Sequence, residues 1–241
     1  MAYQFDIGTV LQQWDRLAEG AAMTLALTAA SVAAGTVIGT AGAVASAYGG
    51  KWARRLAAGY VEAIRNTPFL VQLFIVFFGL PTVGLQVDAL TAALLAMSIN
   101  LGAYSTEIIR AGVQAIHPAQ LEAAQALAMT RWQMIRHVVL LPAFEKVYPA
   151  LTSQFTLMML TSSVVSTISV EELTAMASRI DSETFRTFET YVTVMLLYIG
   201  LALLMRLGFH GLGLLLFRRR RAVSKARHQS VRVKSLKKVA A

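Results

Sequence analysis

Gln120-Leu-Glu-Ala-Ala-Gln-Ala-Leu-Ala-Met-Thr-Arg-Trp-Gln-Met-Ile-Arg-His-Val-Val-Leu-Leu-Pro142 joins two long apolar runs, and its reading decides how the rest of the chain is arranged. Leu121, Ala124, Leu127 and Ala128 recur at helical spacing, and Thr130 can cap a second helix that begins with Arg131 and Trp132. The pattern predicts two short helices, apolar on one side, at a membrane face. Such a pair either lies on the headgroups or stands as a docking knob for a cytoplasmic partner.

Outward from this loop the chain reads as membrane. It has 241 residues, of which 56% are hydrophobic and only 15% charged, with a mean hydropathy of +0.57, where a soluble globular chain carries about 25% charged residues. Runs long enough to cross a hydrocarbon core, about 20 residues, lie near 21–48, 56–80, 89–112, 148–170 and 190–217. The second carries Arg65, Asn66 and Pro68, and the third Asn100, Tyr104, Glu107 and Arg110.

The net charge of +9 belongs to the tail: eleven Lys and Arg and no acid lie between Arg206 and Ala241. Nothing there interleaves aromatics with the cations, so a single-stranded nucleic-acid binder is not indicated. Of the 22 basic residues, 19 fall after the first span, around the central loop, at Arg65 or in the tail. Asp6, Asp15, Asp88, Glu171, Glu172, Asp181 and Glu183 occupy the complementary segments. Five helices with an outside N-terminus and an inside C-terminus satisfy these placements. The leading residues, with Asp6, Asp15 and Glu19 against one Arg, are not the positive n-region of a cleavable signal.

No inverted-repeat pair of broken helices is evident. Gly35 and Gly39 have a small-residue spacing suited to close helix packing. The absence of cysteine rules out a disulfide framework and a thiol nucleophile. His117, His137, His210 and His228 have no metal-ligand spacing, and no Gly-x-x-x-x-Gly-Lys-Ser/Thr loop occurs.

Within the central loop, Glu122-Ala123-Ala124 and the later Leu141-Pro142 resemble the coupling loop of bacterial ATP-binding-cassette importer permeases. Arg131, Trp132, Gln133 and Arg136 are similar to the polar amino-acid branch of that family. Glu62-Ala-Ile-Arg-Asn-Thr-Pro-Phe-Leu-Val-Gln-Leu-Phe74, Gly102-Ala-Tyr-Ser-Thr-Glu-Ile-Ile-Arg110 and Ser162-Ser-Val-Val-Ser-Thr-Ile-Ser-Val-Glu-Glu-Leu173 continue the likeness over about residues 18–217. It is strongest to the histidine, glutamate, glutamine, arginine and opine group. Two departures stand out. Ala128 occupies a position the family usually gives to Gly, so a less sharp turn is expected, and the proline comes one residue late, which would alter the exit of the loop.

The resemblance implies an all-α membrane protein of the type I importer class, with a 1–18 periplasmic segment, a 19–217 transmembrane domain with its coupling loop at about 113–142, and a 218–241 cytoplasmic tail. It implies a bacterial inner-membrane permease subunit that moves a polar amino acid or an opine-like derivative. Its partners would be a second permease, two cytoplasmic ATPases that hold ATP and Mg, a periplasmic solute-binding protein and membrane lipid; no cofactor belongs to this chain. Glu122, Ala123, Ala124, Ala128 and Arg131 would meet the ATPase. The alternative is a channel or exporter subunit not coupled to ATP. An intramembrane enzyme would need a nucleophile–base pair that the sequence does not offer.

A zwitterionic amino acid needs partners for a carboxylate and an ammonium, so polar residues in spans are pathway candidates. Arg65 offers a forked cation to a carboxylate; its bland role is pairing with Glu62 or Glu107. Asn66 or Thr67 could cap a helix opened by Pro68. Asn100 and Tyr104 sit one turn apart, and Glu107 and Arg110 can satisfy each other. Ser162, Ser163 and Ser166 either face the path or bond back to their own helix. Related permeases often carry Lys-Asp where this chain has Leu160 and Thr161, which favours a heterodimer whose charged pocket lies in the sister subunit.

Overall fold

The computed structural model describes residues 5–216; the tail expected at 218–241, and Phe217 at the end of the fifth expected span, lie outside the described residues. The described residues are all helical, with no strand. After a short turn at Gly8–Leu11 come α1 Trp14–Tyr48, α2 Lys51–Arg65, α3 Phe69–Thr82, α4 Ala89–Gln114, α5 Pro118–Ala126, α6 Arg131–Ile168, α7 Leu173–Thr184 and α8 Thr187–Leu216. Among the described residues α1, α4 and α8 are each long and apolar enough to cross a membrane, and the spans number up to five if the bent pairs α2–α3 and α6–α7 each count as one.

The two longest-packed helices, α1 and α4, run side by side in the same direction along a seam of small residues. A Cβ placed on Gly39 would come within 2.4 Å of the Ser105 Cβ, and one on Gly35 within 2.9 Å of Leu101. Lipid tails are as apolar as leucine, so this seam holds by close approach rather than by exclusion of water. The main core is built on it from Leu27, Leu73, Met97, Leu101, Ile109, Val139 and Phe155. A second cluster of Val10, Leu17, Leu173, Ala177, Ile180 and Val194 closes the end of the bundle where α7 sits. The bundle therefore has an α7 end and, at the opposite end of α1, an α5 end.

Several expectations change here. The 56–80 run is two helices bent by 109°, not one. Pro68 lacks an amide hydrogen and takes an extended ψ of 139°, which forces the corner. Neither Asn66 nor Thr67 caps α3, which has no side-chain cap. Both reach backward instead: the Asn66 amide donates to the Glu62 carbonyl at 2.9 Å, and the Thr67 hydroxyl to that of Ala63 at 2.8 Å. The second loop helix is not short but runs on from Arg131 through Ile168 as α6. The late proline is absorbed where that helix passes through a π-helical stretch, Met134–Leu140, just before Pro142. A wider turn accepts an extra residue and leaves room for a ring that would crowd the carbonyl four residues back. Trp14 already lies inside α1, earlier than the expected span.

Candidate functional site

Two sets of side chains stand out, one at the α2–α3 corner and one on the exposed loop at the α5 end. At the corner, Arg65 ends α2 and projects over the Tyr104 ring, 5.5 Å from its centroid, with its guanidinium 3.9 Å from Glu107. Glu107 also accepts from Arg110, whose Nε lies at 2.9 Å. The trio is half exposed, with two cations sharing one carboxylate, so its electrostatics leave room for a further anion.

Beneath the corner runs a buried amide relay. The Asn100 Nδ2 donates to the Gln72 Oε1 at 2.8 Å, and the Gln72 Nε2 donates to the Ile64 carbonyl at 2.8 Å, the Thr67 carbonyl at 3.0 Å and the Thr67 hydroxyl at 2.8 Å. Asn100 is thus bonded to α3 rather than open to a path. Gln72 supplies the last carbonyls of α2 with donors that the bend took away. Sequence reasoning passed over Gln72; its signal was one amide inside the apolar run Phe69-Leu-Val-Gln-Leu-Phe74.

The hydroxyl run at the far end of α6 bonds to its own backbone. Ser162, Ser163 and Ser166 donate to the carbonyls of Met159, Leu160 and Ser163 at 2.6, 2.9 and 2.7 Å. Each bond reaches back three residues, matching the tight helical winding of Ser162–Ile168. Ser162 is buried, while Ser163 and Ser166 are half-buried. Leu160 beside them is exposed.

At the α5 end, His117 and Pro118 open α5, with the His117 ring accepting from the Ala119 N–H. Ala124 packs inward; Glu122, Ala123 and Ala128 are exposed. The turn is sharp, contrary to the expectation from Ala128. That residue takes φ 51°, the left-handed conformation, and the Met129 and Ala128 amides bond back to the Ala124 and Gln125 carbonyls at 3.1 and 2.9 Å. This is the glycine-type helix stop, made here at the steric cost of a Cβ, about 1 kcal/mol. Thr130 and Gln133 form the reciprocal cap that begins α6. The Arg131 guanidinium donates to the Tyr48 carbonyl at 2.7 Å, anchoring the loop to the end of α1. Leu127 and Trp132, 76% and 64% exposed, flank the small residues. Glu122 has no hydrogen bond or ion pair among the described residues.

The class of this helical membrane bundle comes from comparison with known proteins. Residues 35–221 match the family of binding-protein-dependent transport system inner membrane components, and the chain belongs to that family. It is 36% identical to the glutamine transport system permease protein GlnP of Escherichia coli (strain K12), over 84% of this chain and 93% of that protein. It is 30% identical to the nopaline transport system permease protein NocM of Agrobacterium fabrum (strain C58), over 80% of this chain and 85% of that one. The crystal structure of an amino acid ABC transporter with histidines superposes with a TM-score of 0.78 at 36% identity, covering 90% of this chain and all of that one. The chain is therefore an inner-membrane permease subunit and not an enzyme; in such importers a separate ATPase hydrolyses ATP.

Proposed function

We propose that this permease imports a polar amino acid or an opine-like derivative, driven by ATP hydrolysed on partner ATPases that carry the ATP and Mg. The substrate class rests on relatives named for glutamine and nopaline and on a superposable amino acid transporter. Five spans, an outside N-terminus and an inside C-terminus agree with the three apolar helices plus two bent pairs and with the distribution of cations. On this reading 1–18 leads into a transmembrane domain at 19–217, the coupling loop spans about 113–142, and 218–241 is a cytoplasmic tail.

The observation that carries the proposal is the knob at the α5 end: a carboxylate, Glu122, held out on a rigid turn among small residues with nothing among the described residues to bind it. Ala123 and Ala128 allow an ATPase surface to come close, and Glu122 pairs with a cation or amides on it. Arg131 acts from behind by fixing the loop to α1. Along the path, Arg65 with Asn66 and Thr67 at the corner takes the substrate carboxylate beside Tyr104. Asn100 keeps the corner in shape, and Ser163 and Ser166 line the path with backbone-bonded hydroxyls above the buried Ser162. The uncharged Leu160 and Thr161 favour a heterodimer with a more highly charged sister permease.

The test is uptake of labelled glutamine or arginine into proteoliposomes that hold the permeases and ATPases, with ATP inside and solute-binding protein outside. Uptake that needs both ATP and binding protein is expected. Flux that persists without ATP would instead make the chain a channel subunit.

A further inference from the structure

One face of α2 carries charges that its own chain does not match. The buried side of the helix holds Ala57 and Val61, the helix packs on α1 and α4, and the Tyr60 hydroxyl donates to the Ile99 carbonyl. From Ile99, α4 runs on to Gln114, about 22 Å, so α2 lies alongside the middle of a spanning helix and not beyond its end. The opposite side exposes Arg55, Ala58, Gly59 and Glu62, which share a face because seven residues make almost two turns. The Glu62 carboxylate accepts from the neutral Asn66 amide at 2.9 Å, and the Arg55 guanidinium stands over the Trp52 ring, 5.6 Å from its centroid. Neither has an ion partner among the described residues. Seven residues, about 10 Å along the axis, separate the two charges, so neither satisfies the other.

Charges at such depth face protein or water rather than lipid, and are normally paired. The pattern on α2 is its own complement. Where a second helix of the same pattern crosses antiparallel between Ala58 and Gly59, Arg55 stands opposite Glu62, Glu62 stands opposite Arg55, and the smallest residues meet at the crossing. A Cβ on Gly59 would meet nothing within 4 Å; a water-lined face needs no glycine there, whereas close approach of two backbones does. The helix is also bent by 109° from α3, so with α3 directed through the membrane α2 lies across it. Two like helices that lie across a membrane run antiparallel when a two-fold axis along its normal relates their subunits. We propose that this face of α2 is the contact between the two permeases of the complex, made by reciprocal Arg55–Glu62 pairs on either side of the axis. The counterpart is a permease whose own α2 carries the same charges, and the proposal rests on the reading of this chain as one of two permeases.

The test uses the full permease–ATPase complex. The chain has no cysteine, so Arg55→Cys is combined with a cysteine at the position of the second permease that aligns with Glu62, leaving the reciprocal pair intact. A disulfide between the two permeases under mild oxidation is expected. No disulfide, or an equal yield when Val37→Cys on the exposed side of α1 replaces Arg55→Cys, overturns the proposal. Glu62→Arg should lower recovery of the second permease with this chain about tenfold, and a carboxylate at the position of the second permease aligned with Arg55 should restore it; failure to restore overturns the pairing. Should Glu62→Arg fail to insert, Gly59→Leu, which blocks the approach without altering a charge, must show the same loss. Reaction of Glu62→Cys with a water-soluble maleimide in the assembled complex would make the face a water-lined path and overturn it too. The import reading fails separately: a complex that forms the disulfide yet takes up no amino acid with ATP refutes import and leaves the contact standing, whereas ATP-driven uptake without the disulfide refutes the contact alone.

Discussion

Glu172 and Glu122 are carboxylates associated with short helices at opposite ends of the same bundle, and the chain treats them in opposite ways. Glu172 is fully buried and starts α7, accepting from the Ala175 N–H at 3.0 Å, the Tyr198 hydroxyl at 2.8 Å and the Thr24 hydroxyl at 3.4 Å. It thereby ties α1, α7 and α8 together. Glu122 is exposed, and nothing in the described residues engages it. One end is closed by the molecule itself; at the other the carboxylate is held out to the surface on a rigid turn.

Glu172→Ala attacks the closed end and should have the largest effect. It removes three hydrogen bonds to a buried carboxyl, one of them the cap of α7, costing about 3 to 5 kcal/mol, read as a lowered thermal midpoint in detergent. Glu122→Ala should leave that midpoint unchanged, and an equal drop in both would break the comparison. Gln72→Leu strips donors from the Ile64 and Thr67 carbonyls and strands the Asn100 amide, a loss of about 2 kcal/mol that should loosen the α2–α3 corner in hydrogen exchange. Normal protection there would show that Pro68 alone holds the bend.

Glu122→Arg should cut coupled uptake at least about tenfold, equivalent to ~1.4 kcal/mol of interface energy, with folding intact. Unchanged coupled uptake would remove Glu122 from the ATPase contact. Ala128→Gly relieves the left-handed strain and should raise stability by up to about 1 kcal/mol, read by chemical denaturation; a loss would mean that the Ala128 methyl makes contacts worth more than its strain. Acid should produce the smallest change, at the α7 end. The Asp6 carboxyl is held below the usual range by the Thr9 hydroxyl and the Gly8 N–H, and that of Asp88 by Thr91. A depressed carboxyl stabilises above its unfolded pKa, and the benefit is lost as pH falls through the folded value. Protection of the Gly8 and Thr91 amides should therefore fade only below about pH 4, and fading at neutral pH would contradict those bonds.

Periodicity, composition and charge were enough to read an all-helical membrane chain, the glycine seam at Gly35 and Gly39, the Thr130 cap and the Glu107–Arg110 pair, because each depends on neighbours within a few turns or on solvent preference alone. The exposed Glu122 knob was legible for the same reason. What tertiary structure decided are the events between distant segments. The 109° corner at Pro68 depends on Gln72 and Asn100 meeting across two helices. The left-handed Ala128 is held by the Schellman bonds and by Arg131 on Tyr48, and the π-helical stretch before Pro142 packs against α5. Glu172 could be seen as one acidic residue among several, but that it is buried with Thr24 and Tyr198 follows only when residues more than a hundred positions apart share one hydrogen-bonded site. Local free energies write themselves into spacing; contacts closed across the bundle do not.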